Sequence, residues 1–360
     1  MLLNAVADLK EARKEMASCY SLTPSAKLFE RTSKIYERVK GVISPAEWMM
    51  YAPYIDQINT LKIEKNAVIL AHNYMTPEIY HGVADFVGDS LQLALKAQQV
   101  EHSTIVQCGV HFMAETSKIL NPNKTVLIPD SRAGCSLAAS ISPADILEMR
   151  RQTPGARVVS YVNTSAEVKA ESDACCTSSN IVEIIEAMDT DTVIVTPDQY
   201  LAENVREYVS KKLVVWKGFC EVHERFTPEE LQMYRKQFPG IRIIAHPECP
   251  PAVIKEADFS GSTSAMIAWV RENKPERVAM ITECSMSDNV AAEMPDIEFI
   301  RPCNLCPHMK RISLENILWC LHSSSEEVFV DPHVAQRACV AVHRMLAISR
   351  GDNPWVGVCS

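Results

Sequence analysis

Three of the thirteen cysteines in the 360-residue chain are evenly spaced. Cys135, Cys220 and Cys306 lie 85 and 86 residues apart, as if three consecutive units each supplied one. Three converging thiolates are one ligand short of a closed structural zinc site or of the usual four-cysteine iron–sulfur cluster. A cluster on three cysteines leaves one iron open, and that iron is a Lewis acid suited to a dehydration. Three buried cysteines that never meet fit the spacing equally well.

The cysteines belong to a repeat of about 86 residues. Each copy begins with a short β-branched, apolar run, typical of a buried strand, and continues with a helical pattern, an acidic residue, a hydroxyl and a second helical pattern. The acidic residues are Asp85, Asp173 and Asp258, and the hydroxyls are Ser90, Ser178 and Thr263. A second apolar run, at 125–128, 213–216 and 298–300, precedes each cysteine. Strands that alternate with helices predict parallel α/β units, and three units around a pseudo-threefold axis would bring the cysteines together.

Polar side chains follow the first apolar run of each unit at positions i and i+2. They are His72 and Tyr74, Tyr161 and Asn163, and His246 and Glu248. Because ligands of parallel sheets bind beyond the carboxyl ends of the strands, six such residues in register predict a shared site. Histidine and glutamate can exchange protons there, and tyrosine can donate to a developing oxyanion. Any one of the six taken alone is more simply a satisfied structural group.

The hydroxyls and one further histidine have two interpretations each. Ser90, Ser178 and Thr263, with Ser262 beside Thr263, precede helical patterns, where a hydroxyl can cap the helix, bind phosphate or carboxylate, or do both. His223 lies three residues after Cys220 and could orient a bound anion or support a cluster ligand.

The composition is that of an ordinary globular protein, with 47% hydrophobic residues, 22% charged residues and a net charge of −9. No basic stripe is present, so nucleic acid is not expected as a partner. Residues 1–20 mix charged and apolar positions, unlike a signal peptide, and no apolar run approaches the roughly 20 residues of a membrane helix. The chain is therefore expected to be cytoplasmic, without membrane contact.

Ten stretches spread over about residues 55–347 form a far more specific pattern than any short motif. They are AHNY (71–74), GDSLQLA (88–94), FMAETSKIL (112–120), DSRAGCSLA (130–138), YVNTSAEVKA (161–170), TSSN (177–180), GFCEVH (218–223), HPECP (246–250), GSTS (261–264) and CPHMKRISLENI (306–317). This pattern resembles the A-type quinolinate synthase family of bacterial NAD biosynthesis.

The resemblance implies an α/β fold of three similar, pseudo-threefold-related αβα domains, each with three layers and a parallel sheet. Helical periodicity at both ends of the chain, for example at Leu314, Ile317, Leu318 and Leu321, separately predicts helices that flank these domains. The expected segments are an N-terminal helical extension at 1–60, three αβα repeats at 61–145, 146–230 and 231–306, and a C-terminal helical segment at 307–360.

The resemblance also implies the activity and its cofactor. The family condenses iminoaspartate with dihydroxyacetone phosphate and releases phosphate, two waters and quinolinate. A [4Fe-4S] cluster is expected on Cys135, Cys220 and Cys306, with its open iron binding substrate or an intermediate. L-Aspartate oxidase or a dehydrogenase is expected to supply the iminoaspartate.

The substrate-site residues implied by the resemblance come from all three units. They are His72, Tyr74, Ser90, Tyr161, Asn163, Ser178, His223, His246, Glu248, Ser262 and Thr263. Glu248, His246 and Tyr74 are assigned to proton transfer. Asn163, Tyr161 and the hydroxyls are assigned to binding carboxylates and phosphate.

The chain departs from the family pattern in two places. It carries about 50 N-terminal residues beyond shorter members, and Ile300 stands where some members begin a C-x-x-C-x-x-C motif. The remaining pair, Cys303 and Cys306, is compatible with a redox pair, half a zinc site or coincidence. Cys108 is off the repeat position and is interpreted as structural.

Two other functions remain open on the residues alone. A zinc-dependent hydrolase or lyase could use the three cysteines as metal ligands. A non-catalytic iron–sulfur sensor could hold a cluster without a substrate pocket, although six polar positions in register argue against it.

Overall fold

The computed structural model describes residues 12–353 and Trp355. Residues 1–11 of the expected N-terminal extension, and residues 354 and 356–360 of the expected C-terminal segment, lie outside the described residues. The described chain is an α/β protein with three separate four-stranded sheets, and every strand pairing within the sheets is parallel. The predicted fold class is confirmed.

The three sheets have the same strand order, in which the first strand of each unit lies between the second and the third. The strands are β1 (Ala67–His72), β2 (Phe86–Gly88), β3 (Thr104–Cys108), β4 (Thr125–Leu127), β5 (Arg157–Tyr161), β6 (Ala174–Cys176), β7 (Thr192–Thr196), β8 (Lys212–Val215), β9 (Arg242–Ala245), β10 (Phe259–Ser260), β11 (Arg277–Ile281) and β12 (Glu298–Ile300). All six residues of β1 are buried, as expected for a strand covered on both faces, which explains its continuous apolar sequence. Both apolar runs predicted for each unit form strands.

The helices fall between the strands and at both ends of the chain. They are α1 (Ala26–Val39), α2 (Pro45–Glu64), α3 (Pro77–Tyr80), α4 (Ser90–Gln99), α5 (His111–Leu120), α6 (Ser136–Ala139), α7 (Pro143–Gln152), α8 (Ala166–Ala170), α9 (Ile181–Glu186), α10 (Gln199–Val205), α11 (Pro228–Gln237), α12 (Pro251–Glu256), α13 (Thr263–Asn273), α14 (Ser285–Glu293), α15 (Leu314–Ser323) and α16 (Pro332–Arg350). Residues 12–19 are also helical, and three short 3₁₀ turns occur at Arg206–Tyr208, His223–Arg225 and Met309–Arg311.

The repeated acidic residues have a structural role. Each carboxylate accepts a hydrogen bond from a backbone N–H in the first strand of its unit: Asp85 from Ile69 (2.8 Å), Asp173 from Val158 (2.8 Å) and Asp258 from Ile243 (2.7 Å). Each is also paired with a basic side chain of its own unit or of the preceding helix, including Lys62, Arg150 and Arg235. The three repeated aspartates therefore fix the edge of each sheet and lie outside the site.

The helices outside the sheets pack against the repeated units. Leu314, Ile317, Leu318 and Leu321 are buried on one face of α15, which confirms the helix predicted there from their spacing. This helix contacts α2, and α16 packs on α8 and β6 of the second unit. Among the described residues, no helix combines the length and the apolar character needed to cross a bilayer.

Candidate active site

One cavity gathers residues from all three units. It opens where β1, β5 and β9 end, as expected for ligand sites in parallel sheets. Of the residues predicted to form the site, the following line this cavity: His72, Tyr74, Ser90, Cys135, Tyr161, Asn163, Ser178, Cys220, His223, His246, Glu248, Thr263 and Cys306. Ser262 is the exception among them. Its hydroxyl caps α13 by accepting a hydrogen bond from the Ala265 N–H (3.3 Å).

The three cysteines of the repeat share one local arrangement. Near each sulfur lie the backbone N–H groups two and three residues later, which lower its thiol pKa: Leu137 and Ala138 for Cys135, Val222 and His223 for Cys220, and His308 and Met309 for Cys306. Hydrogen bonds to the sulfurs are among the features that tune iron–sulfur clusters. The sequence repeat therefore encodes a repeated sulfur-binding turn as well as a repeated cysteine.

The same three sulfurs lie close enough to disfavour one another's ionisation. Burial is the main cause that raises the thiol pKa values, to about 12 for Cys135, and the neighbouring sulfurs add to it. Cys306 raises the pKa of Cys135, and Cys135 raises that of Cys220. A bound metal reverses this penalty because it deprotonates a coordinating thiol. Three converging cysteines with N–H donors at each sulfur fit a cluster held by three protein ligands.

A glycine allows the loop that carries Cys220 to approach the second sheet. The carbonyl of Gly218 accepts a hydrogen bond from the Gln199 N–H at 2.8 Å. A Cβ atom at Gly218 would lie 2.5 Å from the Pro197 carbonyl and 2.6 Å from the Ser140 hydroxyl. A larger residue would push the loop, and with it Cys220, out of position.

Glu248 is the centre of a buried polar network. One carboxylate oxygen accepts hydrogen bonds from the Tyr161 hydroxyl at 2.6 Å and the Asn163 amide at 3.5 Å. The other lies 2.9 Å from Nδ1 of His223. Burial alone raises the pKa of Glu248, but the His246 and His223 rings and the bond from Tyr161 outweigh burial and leave this pKa below its usual value. Glu248 is therefore a carboxylate at neutral pH and is suited to accept a proton.

Two histidines present the same local geometry in the first and third units. Nδ1 of His72 accepts the Tyr74 N–H (3.2 Å), and Nδ1 of His246 accepts the Glu248 N–H (3.4 Å). Burial lowers the pKa of His72 to about 4 and that of His246 to about 3, so both rings are neutral at physiological pH. Because Nδ1 accepts, the proton of each neutral ring resides on Nε2, which makes both histidines hydrogen-bond donors.

The tyrosines keep their protons. Burial, reinforced by the charge of Glu248, raises the pKa of both Tyr74 and Tyr161 well above the usual range. Each phenol is therefore a hydrogen-bond donor or a proton donor at neutral pH.

Three of the predicted hydroxyls, those of Ser90, Ser178 and Thr263, line the cavity and do not cap their helices. The caps are their neighbours: Asp89 accepts the Gln92 N–H at the start of α4, and Ser262 caps α13. Ser90 and Thr263 are the first residues of those helices, and both line the cavity, as does Ser178 before α9. The capping interpretation of these three hydroxyls is wrong. The Thr263 hydroxyl accepts a hydrogen bond from the Asn73 amide (2.9 Å), and all three hydroxyls can still donate to a ligand.

Two cysteines outside the repeat differ in exposure: Cys108 is buried and Cys303 is exposed. Cys108 is fully buried at the end of β3, consistent with its structural interpretation. The sulfur of Cys303 lies 2.9 Å from that of Cys284, so the C-x-x-C motif places its first cysteine against a residue of the preceding loop.

Three residues beside the cavity were not predicted from the sequence: Thr282, Glu283 and Lys310. Glu283 is fully buried, pairs with Lys310 (2.9 Å) and accepts the Cys306 N–H at 3.4 Å. Lys310 also donates to the Tyr74 carbonyl at 2.9 Å. Thr282 and Glu283 directly follow β11, and the end of that strand is the signal that would have revealed them.

Comparison with known proteins agrees with this arrangement. Residues 56–347 match the protein family described as Quinolinate synthetase A protein. The quinolinate synthase of Sinorhizobium fredii is 57% identical over 330 residues, which cover 92% of this chain and 91% of that protein. Quinolinate synthase 2 of Mesorhizobium japonicum is 59% identical over 314 residues, 87% of this chain and 97% of that protein. The quinolinate synthase of Caulobacter vibrioides is 53% identical over 320 residues, 88% of this chain and 87% of that protein. The match covers every repeated unit and each of the three cysteines, and the chain belongs to the quinolinate synthase family.

Proposed function

We propose that this chain is a quinolinate synthase of NAD biosynthesis, a transferase that condenses iminoaspartate with dihydroxyacetone phosphate. The products are quinolinate, phosphate and two waters. The observation that carries the proposal is the meeting of three cysteines, a carboxylate and a set of hydroxyls in one cavity. The atoms of this reaction balance without an oxidant or a reductant, so the site has to supply binding, acid–base groups and a Lewis acid.

The proposed cofactor is a [4Fe-4S] cluster on Cys135, Cys220 and Cys306. When bound, such a cluster supplies an open iron that polarises a hydroxyl or a carbonyl group. The N–H donors at each sulfur and the proximity of the three thiols support this assignment. Glu283, through the Cys306 backbone N–H, holds the third ligand in place.

The side chains of this protein bind the anionic groups of the substrates. Ser90, Ser178 and Thr263 donate to the phosphate, and Asn163 and Tyr161 donate to carboxylates. Neutral His72 adds an Nε2–H donor on the same wall. Hydrogen bonds to charged acceptors are the strong ones, so these donors can select phosphorylated and dicarboxylate substrates despite the acidic net charge.

The proton transfers use the three residues assigned from the family pattern. Glu248 is a carboxylate and removes protons from carbon or nitrogen. Tyr74 is protonated and donates to an oxygen that leaves or develops charge. His246 is neutral and donates from Nε2. Groups of opposite protonation state in one buried site are the usual arrangement for paired acid and base steps.

The decisive assay is anaerobic. Protein purified without oxygen, with its iron and sulfide measured, is given dihydroxyacetone phosphate and iminoaspartate generated in place. We expect quinolinate and phosphate in equal amounts, and a fully loaded protein that forms no quinolinate would refute the proposal. L-Aspartate oxidase or a dehydrogenase is the proposed source of iminoaspartate, and the cytoplasm is the proposed compartment.

One contact favours a second candidate. The donor atoms of Cys220, His223 and Glu248 lie within 4.8 Å of one another, which also suits a single metal ion such as zinc in a hydrolase or lyase. Metal analysis separates the two: about one zinc per chain without sulfide would favour this candidate, and iron with an equal amount of sulfide favours the synthase.

A further inference from the structure

The loops that carry the three repeated cysteines contact one another across the units. These cysteine loops are residues 133–136, 218–223 and 304–309. The carboxylate of Glu221, in the second loop, lies 3.0 Å from Nε2 of His308 in the third loop. The backbone N–H of Glu221 donates to the hydroxyl of Ser136, in the first loop, at 3.2 Å. Glu221 therefore joins the cysteine loop of the second unit to the loops of both other units.

A contact between the third loop and the first loop closes this arrangement. The imidazole of His308 lies beside Gly134: a Cβ atom at Gly134 would be 3.6 Å from Nδ1 and 3.7 Å from Cε1, which is ordinary van der Waals distance. Each cysteine loop thus contacts the other two. We call this closed set of contacts the loop circuit, and its members are Gly134, Ser136, Glu221 and His308.

The loop circuit lies at the solvent end of the cavity. The side chains of Glu221 and His308 are 33% and 31% exposed, and the three repeated cysteines are also partly exposed. In contrast, His246 and Glu248 are only 3% and 4% exposed. All four members of the circuit line the cavity. The circuit therefore borders the part of the cavity where solvent can approach the three sulfurs.

The circuit has a consequence for ligands that come from three separate units. Bringing three thiols to one centre restricts the backbone of three loops, and that restriction opposes binding of anything held between them. Contacts that already hold the loops together reduce this cost, which is the general advantage of preorganisation. A partly exposed pair such as Glu221 and His308 contributes little to the stability of a whole fold, so its effect is expected to be local.

We propose that Glu221 and His308 are positioning residues that hold the three cysteine loops together and keep the cluster in its site. This inference rests on the proposed function, since it takes the cofactor to be a cluster on the three cysteines. A cluster is released when its cysteines separate from it one after another. In a closed circuit no loop can move without breaking contacts to the other two, so opening the circuit at one contact speeds release.

The test measures how fast the loaded protein loses iron. Wild type and variants are loaded without oxygen to equal iron and sulfide content, and bathophenanthroline disulfonate, a chelator of iron(II), reports the iron released. The variants are Glu221→Ala, His308→Ala and the double variant. His322→Ala is the control, because His322 makes the same kind of contact with Glu15 (3.3 Å) and lies outside the cavity lining.

We expect iron release to be about threefold to fivefold faster in each single variant, the size expected for one partly exposed pair. Because either substitution opens the same circuit, the double variant should lose iron no faster than the faster single variant. The control should lose iron at the wild-type rate. Release within about twofold of wild type in both single variants, or an equal acceleration in the control, would overturn the inference.

A second measurement uses the cluster-free protein and does not depend on turnover. Amide hydrogen exchange is followed in wild type and His308→Ala. Exchange should become faster in all three cysteine loops, while β1, β5 and β9 keep their protection. Faster exchange confined to residues 304–309 would overturn the circuit, and a general loss of protection would show that His308 acts on the whole fold instead. A wild type that takes up no iron and sulfide refutes the proposed cofactor, whereas a loaded wild type whose variants lose iron no faster refutes only this inference.

Discussion

Glu248→Gln is the substitution that most sharply separates chemistry from packing at this site. The amide keeps the size of the carboxylate but has one acceptor oxygen and one donor nitrogen. One carboxylate oxygen faces the Tyr161 hydroxyl (2.6 Å) and the Asn163 amide (3.5 Å), and the other faces the His223 ring (2.9 Å). Glutamine has only one acceptor oxygen, so its NH₂ group points either at Tyr161 and Asn163 or at His223.

The size of the effect follows from that mismatch. One buried donor left unpaired costs about 1–3 kcal/mol of stability. Loss of the base should lower kcat by about 10²- to 10⁴-fold, the usual contribution of a positioned acid–base group. The structural cost alone is too small to explain the loss of activity, because about 3 kcal/mol leaves a protein of ordinary stability largely folded.

The assay measures quinolinate formation per loaded cluster, together with the thermal midpoint. Glu115→Gln is the control, because Glu115 is also buried, accepts the Ala166 N–H (3.0 Å) and lies outside the cavity lining. It should lower stability and keep kcat. If Glu248→Gln keeps a kcat within about threefold of wild type, Glu248 is not the base and the proton assignments are wrong.

Four further predictions follow from the same structure. Thr263→Val should raise the KM for dihydroxyacetone phosphate by about tenfold (one phosphate hydrogen bond). It should also lower stability by about 1–3 kcal/mol, because the Asn73 amide loses its acceptor. An unchanged KM would remove Thr263 from the phosphate site. Asp173→Asn should lower the free energy of unfolding, measured in urea, by about 2–3 kcal/mol, because the carboxylate is buried and paired with Arg150. The kcat per folded enzyme should stay constant, and a loss of kcat without destabilisation would contradict this structural role. Burial lowers the pKa of His72 to about 4, so as the pH falls the His72 ring takes up a proton in the unfolded chain before it does so in the folded protein. The free energy of unfolding of the cluster-free protein should therefore decrease between pH 6.5 and about 4. The decrease should be less steep in His72→Gln. Cys303→Ser should keep the full iron and sulfide content, since the contact of Cys303 is with Cys284, and loss of iron would make Cys303 a ligand.

Much of the fold was predictable because the chain repeats its pattern three times. The apolar runs that became β1, β5 and β9 are continuous and β-branched, and each is followed by polar residues at i and i+2. A strand that is buried on both faces has to be apolar, so the apolar run predicts the strand. The carboxyl end of such a strand faces the site, so the polar residues that follow the run predict the site. The six polar residues predicted to share a site line one cavity for this reason.

The site residues that were not predicted from the sequence are those whose role depends on contacts between units. Thr282 follows β11, and nothing in its local sequence shows that Tyr74 and His223 reach it from two other units. The acidic residues of the repeat were conspicuous but have a structural role, since a carboxylate that binds a strand N–H looks the same in sequence as one that binds a ligand.

Hydroxyls before helices were ambiguous for a similar reason. Ser90 and Ser262 both precede or begin a helix, and only the backbone positions show that Ser262 caps while Ser90 is free. A capping residue and the first helical residue are neighbours in the sequence, and the start of a helix cannot be assigned from sequence to within one residue.

If one cysteine from each unit completes a single metal site, each of the three is needed to hold the cluster. Iron and sulfide are measured in protein prepared without oxygen, for the wild type and for Cys135→Ser, Cys220→Ser and Cys306→Ser, with Cys108→Ser as the buried-cysteine control. We expect about four iron and four sulfide per chain in the wild type and the control, and loss of the visible absorbance in each of the other three variants. A full complement of iron and sulfide in any of those three would show that the sulfurs do not share one centre.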